Sequence, residues 1–244
     1  MARLIACAGT LLALGAPLSG LAAQAAIGVA PVTLAESYSF DTAEQHGIRV
    51  EVIARGLNHP FAMVVLPSGD ALVSERGANL RVVRNATGST PRLEPWPVAG
   101  VPQLSPAYRN GGLHDLQLHP DFARNQFVYF TYNKAGNAPQ PAAGGAPGRQ
   151  ESRVALMRGR FTGDALTQVE ELFVGDSGST SGSRIAFGKD GLVYMTTGAP
   201  FDEQAQQPGS IYGKVLRLTD EGKPAPGNPF AAQRSEERRV GKEC

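Results

Sequence analysis

Residues 110–132 read NGGLHDLQLHPDFARNQFVYFTY, and this stretch decides the fold because the chain repeats its plan. An apolar run (113–118) leads into a tight turn, Pro120-Asp121-Phe122-Ala123-Arg124-Asn125, and a second apolar run (127–132) leads out. Residues 62–74 (AMVVLPSGDALVS) do the same around Pro67-Ser68-Gly69-Asp70, and residues 185–197 (IAFGKDGLVYMTT) around Lys189-Asp190-Gly191. Short apolar runs rich in Val, Phe and Tyr, bounded by Pro, Gly, Asp and Asn, predict strands, and two of them across a short turn predict a hairpin. A hairpin that recurs along one chain points to radial β architecture.

Working outward, the strands group into units. Residues 50–54 alternate and predict a strand, followed by a turn at Gly56-Leu57-Asn58-His59-Pro60. The hairpin 61–66/71–74 and a strand at 80–84 follow, then a proline-rich connection (91–108) with one short strand at 97–100 and the only tryptophan, Trp96. The runs 113–118, 127–132, 152–161 and 170–174 make four strands, the complement of one propeller blade. A third unit holds 184–187, 192–197 and 213–218. Residues 136–149 (GNAPQPAAGGAPGR) lack the apolar residues a core needs and are expected to form a loop. Helical periodicity bounded by caps is nowhere sustained. The hairpins lie further apart than the ~40–50 residues of common propeller repeats, the excess falling in long loops.

The two ends stand apart from this pattern. Residues 1–25 carry Arg3, an apolar run and small residues before Ala25, which is the plan of a secretory signal peptide, and the run is too short to span a bilayer. Residues 26–46 read as an extended leader and 47–233 as a partial propeller. Residues 234–244 (RSEERRVGKEC) change composition abruptly and resemble translated sequencing adapter, so the native sequence is expected to stop near Gln233 and to be truncated there. The two cysteines, Cys7 and Cys244, fall in these ends, which leaves the body without a disulfide framework or a thiolate metal site. The whole chain carries +1, and without the charges of its ends the body lies near −1 with no block of like charge. Neither nucleic-acid binding nor a polybasic membrane patch gains support. The expectation is an exported protein, periplasmic or secreted, with no membrane span in its mature part.

Four phrases carry a family resemblance: GLNHPFAMVVLPSGDALVSER (56–76), the opening stretch, SGSRIAFGKDGLVYMTTG (181–198) and YGKVLRLTDEGKPAPGNPF (212–230). In this order they resemble the glucose/sorbosone dehydrogenase family, soluble quinoprotein sugar dehydrogenases built as six-bladed β-propellers, of which about three blades are present here. The resemblance implies pyrroloquinoline quinone (PQQ) and calcium as cofactors, a small-molecule sugar substrate and an electron acceptor left unspecified. It implies hydride transfer from the anomeric carbon of an aldose to the quinone while a histidine takes the hydroxyl proton, so that the cofactor carries the redox chemistry and the protein supplies a base and a polar cradle.

Position by position the match is uneven. The cofactor-side glutamine before the GGL phrase is Asn110 here. The family's catalytic histidine, four residues before the arginine of the SGSR phrase, is Thr180, whose hydroxyl has no usable basicity near neutral pH. The Gly-Asp after the next strand is Gly198-Ala199, and the family's later calcium and quinone ligands lie beyond this sequence. Thr180 is either a substrate contact or a plain loop residue. His114 is either a replacement base or a strand-entry residue bonded to a neighbouring carbonyl. Asp115 is expected to bond backbone amides at the central end of its strand, ahead of a catalytic role, and His59 and His119, each before a proline, to be structural. Arg184 is either structural or a cation facing the cofactor. Gly175-Asp176-Ser177-Gly178 looks like a serine-protease nucleophile phrase without its companion histidine and is set aside; Asp220-Glu221-Gly222 is a turn and not a calcium loop. The first functional reading is an exported PQQ-dependent aldose dehydrogenase. A second is a non-catalytic propeller that binds a carbohydrate or a protein, and a third is oxidation of a different substrate with a base supplied from outside this sequence.

Overall fold

The computed structural model describes residues 33–102, 104, 112–137, 151–178, 182–199 and 203–229. The chain divides into two compact units, one through Glu51 and one from Val52. The first holds a two-stranded antiparallel sheet, β1 (Ser37–Phe40) against β2 (Ile48–Glu51). The expected leader thus ends in a hairpin, and the strand expected at 50–54 lies earlier.

The second unit contains three antiparallel meanders. The first sheet runs β3 (Pro60–Val65), β4 (Ala71–Glu75), β5 (Leu80–Arg84) and β6 (Arg92–Leu93). The second runs β7 (Gly112–Leu118), β8 (Phe127–Ala135), β9 (Ser152–Phe161) and β10 (Leu166–Val174). The third runs β11 (Ile185–Phe187), β12 (Val193–Thr196) and β13 (Val215–Leu218). Three details differ from the sequence reading. The strand expected at 97–100 is only an isolated bridge between Ala99 and Ala165, the fourth strand forming instead at Arg92–Leu93. The turn after β7 winds into one helical turn, α1 (Phe122–Asn125), which closes on Gln126 in the left-handed region. β10 begins at Leu166 because Gly163 turns the chain there.

Alternation along the strands puts apolar residues on both faces of the second sheet, so it buries both. Leu113, Leu116, Val128, Phe130 and Met157 pack on Leu72, Leu80 and Val82 of the first sheet. Tyr129, Val154, Leu156 and Phe173 pack on Ile185, Val193, Met195 and Leu216 of the third. Each aliphatic or aromatic side chain taken out of water in this way contributes about 1.5–3 kcal/mol, which lets a fold without disulfides in its body hold together. β3, β7 and β11 are the first strands of their sheets, and β7 lies between the other two. Three sheets in succession, face to face about their first strands, form a sector of a β-propeller, and among the described residues the ring is not closed.

Two contacts fix the sector locally. Gly112 (φ +98°) lies so close to the carbonyl of Arg76 that a Cβ would come within 1.7 Å of its oxygen, so only glycine fits where β7 passes the first sheet. At the other end of β7, the His119 ring stacks on Tyr129 and meets the edge of Phe187 from the third sheet, while the Tyr129 hydroxyl donates to the Asp220 carbonyl at 2.8 Å. His119 Nδ1 accepts the Asp121 N–H at 3.0 Å, so this histidine serves packing and turn geometry.

The outermost faces stay open. Met63 and Val65 on β3 are 55% and 47% exposed, and Val215 on β13 is 61% exposed. Exposed apolar strands on unclosed sheets favour association. The 244-residue chain is therefore expected to self-associate at micromolar concentration. Substituting Met63→Thr with Val65→Thr should shift light-scattering mass toward the monomer, and an unchanged monomeric mass for both proteins would contradict the assignment.

Candidate functional site

The first strands bring four side chains together at their N-terminal ends: Phe61 of β3, His114 and Asp115 of β7, and Arg184 just before β11. Irregular pairing makes this possible. A bulge between Leu113 and Leu116 interrupts the β7–β8 ladder at His114 and Asp115, and a shift between Pro60 and Ala62 does the same at Phe61. Bulges re-aim side chains that strict alternation would send to opposite faces.

Asp115 is the hub. Its side chain is 6% exposed and its two oxygens are used by the third sheet: Oδ1 accepts from Arg184 Nη1 at 2.9 Å, and Oδ2 accepts the Ile185 N–H at 2.8 Å. The Asp115 N–H donates to the Thr131 hydroxyl at 3.1 Å. The expectation that Asp115 bonds backbone amides thus holds for one oxygen, and the other positions a cation. Arg184 is 60% exposed at its side chain and lies over the Phe61 ring, 4.9 Å from its centroid. Its backbone N–H donates to the Thr196 hydroxyl at 2.8 Å, so the residue is held at both ends while its remaining guanidinium donors face outward.

The His114 ring is 2% exposed and stacks on Phe61 with centroids 5.2 Å apart. Its backbone carbonyl accepts from the Ser74 hydroxyl at 2.7 Å, a buried bond that joins β4 to β7. Phe61 itself is 44% exposed, a large apolar ring open at the site. Nearby, Tyr132 donates its hydroxyl to Glu171. Burial first, and then the Glu171 carboxylate, push the Tyr132 phenol above its ordinary range. It stays protonated at neutral pH and cannot serve as a base.

Of the residues singled out from the sequence, His114 and Arg184 are brought together here, while Asn110 and Thr180 lie outside the described residues. Phe61 and Ser74 carried no signal in the sequence. Phe61 sits in a run that reads as an ordinary strand, and the bulge that exposes its ring has no residue signature. The planar cation of Arg184, pinned at one edge and open at the other beside an exposed aromatic ring, fits a flat ligand bearing carboxylates. Among the described residues no group of three or more His, Cys, Asp or Glu is gathered that could hold a metal ion. Among those residues, too, no helix is long and apolar enough to cross a membrane.

Comparison with known proteins matches residues 57–240 to the sequence profile of glucose / sorbosone dehydrogenase. An uncharacterised protein of Synechocystis is 34% identical over 210 residues, covering 77% of this chain and 47% of that protein. Aldose sugar dehydrogenase YliI of Escherichia coli is 29% identical over 185 residues, covering 75% and 47%. Among solved structures, the PQQ-bound aldose sugar dehydrogenase of Streptomyces coelicolor superposes with a TM-score of 0.60 at 33% identity, covering 75% of this chain and 51% of that one. The chain spans about half the length of the curated relatives it matches.

The geometry ranks two substitutions. Asp115→Ala strands the buried Ile185 N–H and releases Arg184, and should cost about 2–4 kcal/mol in urea unfolding. Ser74→Ala removes only neutral bonds, the one donated to the His114 carbonyl and the one accepted from the Ala62 N–H, and should cost about 1–2 kcal/mol. Equal midpoints for the two variants would contradict the role given to Asp115.

Proposed function

The chain belongs to the glucose/sorbosone dehydrogenase family, and from that premise we propose that it serves an exported, PQQ-dependent dehydrogenase acting on an aldose or related sugar. The observation that carries the proposal is Arg184, held by Asp115 at 2.9 Å beside the exposed ring of Phe61 where the first strands begin. In this reading Arg184 binds a carboxylate of the cofactor and Phe61 offers an apolar face beside it. When bound, PQQ supplies the two-electron acceptor for a hydride leaving the anomeric carbon.

The chain's own part is to bind, orient and keep the cation in place. Asp115 prevents Arg184 from swinging into solvent, so its donors are aimed before any ligand arrives, which lowers the ordering cost of binding. The proton of the anomeric hydroxyl needs a separate acceptor. Thr180 stands where the family has its histidine and does not provide one. His114 carries an imidazole, but the residue is buried and its ring stacks on Phe61. A base from outside this sequence is therefore part of the proposal, and calcium enters it only as what the family implies. The threonine also favours a second reading, a propeller of this family that binds a sugar or a protein without oxidising it.

Titration with PQQ in calcium-containing buffer, followed by dye reduction with a panel of aldoses, separates the readings. The enzyme reading expects quinone binding at micromolar concentration and sugar-dependent dye reduction, with Arg184→Ala weakening quinone binding roughly 10–100-fold, the worth of a charge-assisted hydrogen bond. Binding without turnover would favour the second reading, and no binding at micromolar quinone would end the first.

A further inference from the structure

The opposite end of the strands holds a cavity, roughly 20 Å from the Arg184 cluster by the rise of a six-residue strand. It is an open groove of about 680 Å³ between the β3–β4 turn, α1 and the β9–β10 turn. Leu66, Phe122 and Phe161 line it, each less than a tenth exposed, and make an apolar floor.

The two guanidinium groups on its walls differ in kind. Each nitrogen of the Arg84 guanidinium is engaged: Nη1 donates to Asp70 at 2.9 Å, Nε to Glu94 at 3.0 Å, and Nη2 to the Gly163 carbonyl at 2.7 Å. Asp70 also accepts the Asn85 N–H at 2.8 Å. Burial works against its charge, but that N–H and the Arg84 guanidinium outweigh it and hold the carboxyl below its ordinary range, so Arg84 keeps its counter-charge. Arg160 is the contrast. It is the penultimate residue of β9, exposed, and among the described residues its guanidinium has neither hydrogen bond nor ion pair. The groove therefore presents an apolar floor, one neutralised cation that shapes the wall, and one uncompensated cation at the rim.

We propose that this groove, formed by Leu66, Phe122, Phe161 and Arg160, binds an organic carboxylate with an apolar body, the ring or chain on the floor and the carboxylate on Arg160. A neutral sugar lacks the charge that Arg160 leaves unanswered and a phosphate lacks the apolar body, so neither matches both halves of the groove. The same chemistry arises from a free aryl or alkyl acid or from the C-terminal residue of a peptide. A volume of this size accommodates either. The site is independent of the Arg184 cluster, sharing no residue with it.

Saturation-transfer difference NMR tests this on the 244-residue chain whatever its association state. The probes are 3-phenylpropionate, its neutral amide, and N-acetyl-Gly-Phe as free acid and amide. Both acids are expected to bind saturably, and each amide at least ~10-fold more weakly, the worth of one charge-assisted hydrogen bond. Arg160→Gln should abolish the preference for acid over amide, and Arg160→Lys should keep part of it. Arg160 is exposed, so neither variant threatens folding, and PQQ titration should be the same in both. Tighter binding of the peptide acid would identify a chain terminus as the source, and tighter binding of 3-phenylpropionate a free acid. Equal binding of acid and amide, a preference that survives Arg160→Gln, or no saturable signal from either acid would overturn the site.

Discussion

One carboxylate holds the second unit in register. Asp115 reaches from β7 to the third sheet with both oxygens, one on the Ile185 N–H and one on Arg184, while its own N–H is taken by Thr131. The neighbouring carbonyl, that of His114, accepts from Ser74 of the first sheet. Two adjacent residues thus tie all three sheets. A buried charge is tolerated only when paired and hydrogen-bonded, and here satisfying it requires the third sheet to sit where it does. Hydrophobic packing is not directional: it brings the sheets together, and Asp115 sets how far β11 slides along β7.

The same bond couples fold to site. Arg184 is mostly exposed, and an exposed arginine left alone samples many rotamers at a cost of up to ~2 kcal/mol when it must be ordered. Asp115 spends part of that ordering in folding, and the Phe61 ring beneath the guanidinium restricts it further. A structural link between sheets in this way also holds an exposed guanidinium in place, which is the feature the proposed function rests on. His114 shows the opposite outcome of the same bulge. Its ring is turned inward against Phe61, where it contributes packing.

What was legible in the sequence followed from periodicity and turns. The three hairpins, the grouping of strands into successive units and the structural use of His119 could be read from apolar alternation and from Pro, Gly and Asp at the turns, because those residues act locally. The bulges at Pro60/Ala62 and Leu113/Leu116 were not legible, since no residue type marks them and they exist only through pairing with β4 and β8. Phe61 as an exposed ring and the double use of Asp115 depend on those bulges and were hidden with them. The stretch that forms α1 read only as a tight turn, because a single helical turn has too few residues for a period. Arg92–Leu93 pairs with β5 although the preceding residues show no alternation, a case where tertiary contact decides and local propensity does not. Arg184 was found only through a family phrase; of its two offered roles the structural one is seen in its bond to Asp115, and the ligand-facing one belongs to the proposed function.

Hydrogen exchange at the Ile185 amide tests this account most directly. That amide is bonded to Asp115 and not to a strand of its own sheet. In Asp115→Ala it should exchange faster by roughly 10–100-fold beyond any change shared with the amides of Phe130 and Leu156, corresponding to about 1–3 kcal/mol of local stability. If Ile185 loses no more protection than those central amides, Asp115 is not what fixes the third sheet against the second, and the preorganisation of Arg184 loses its cause.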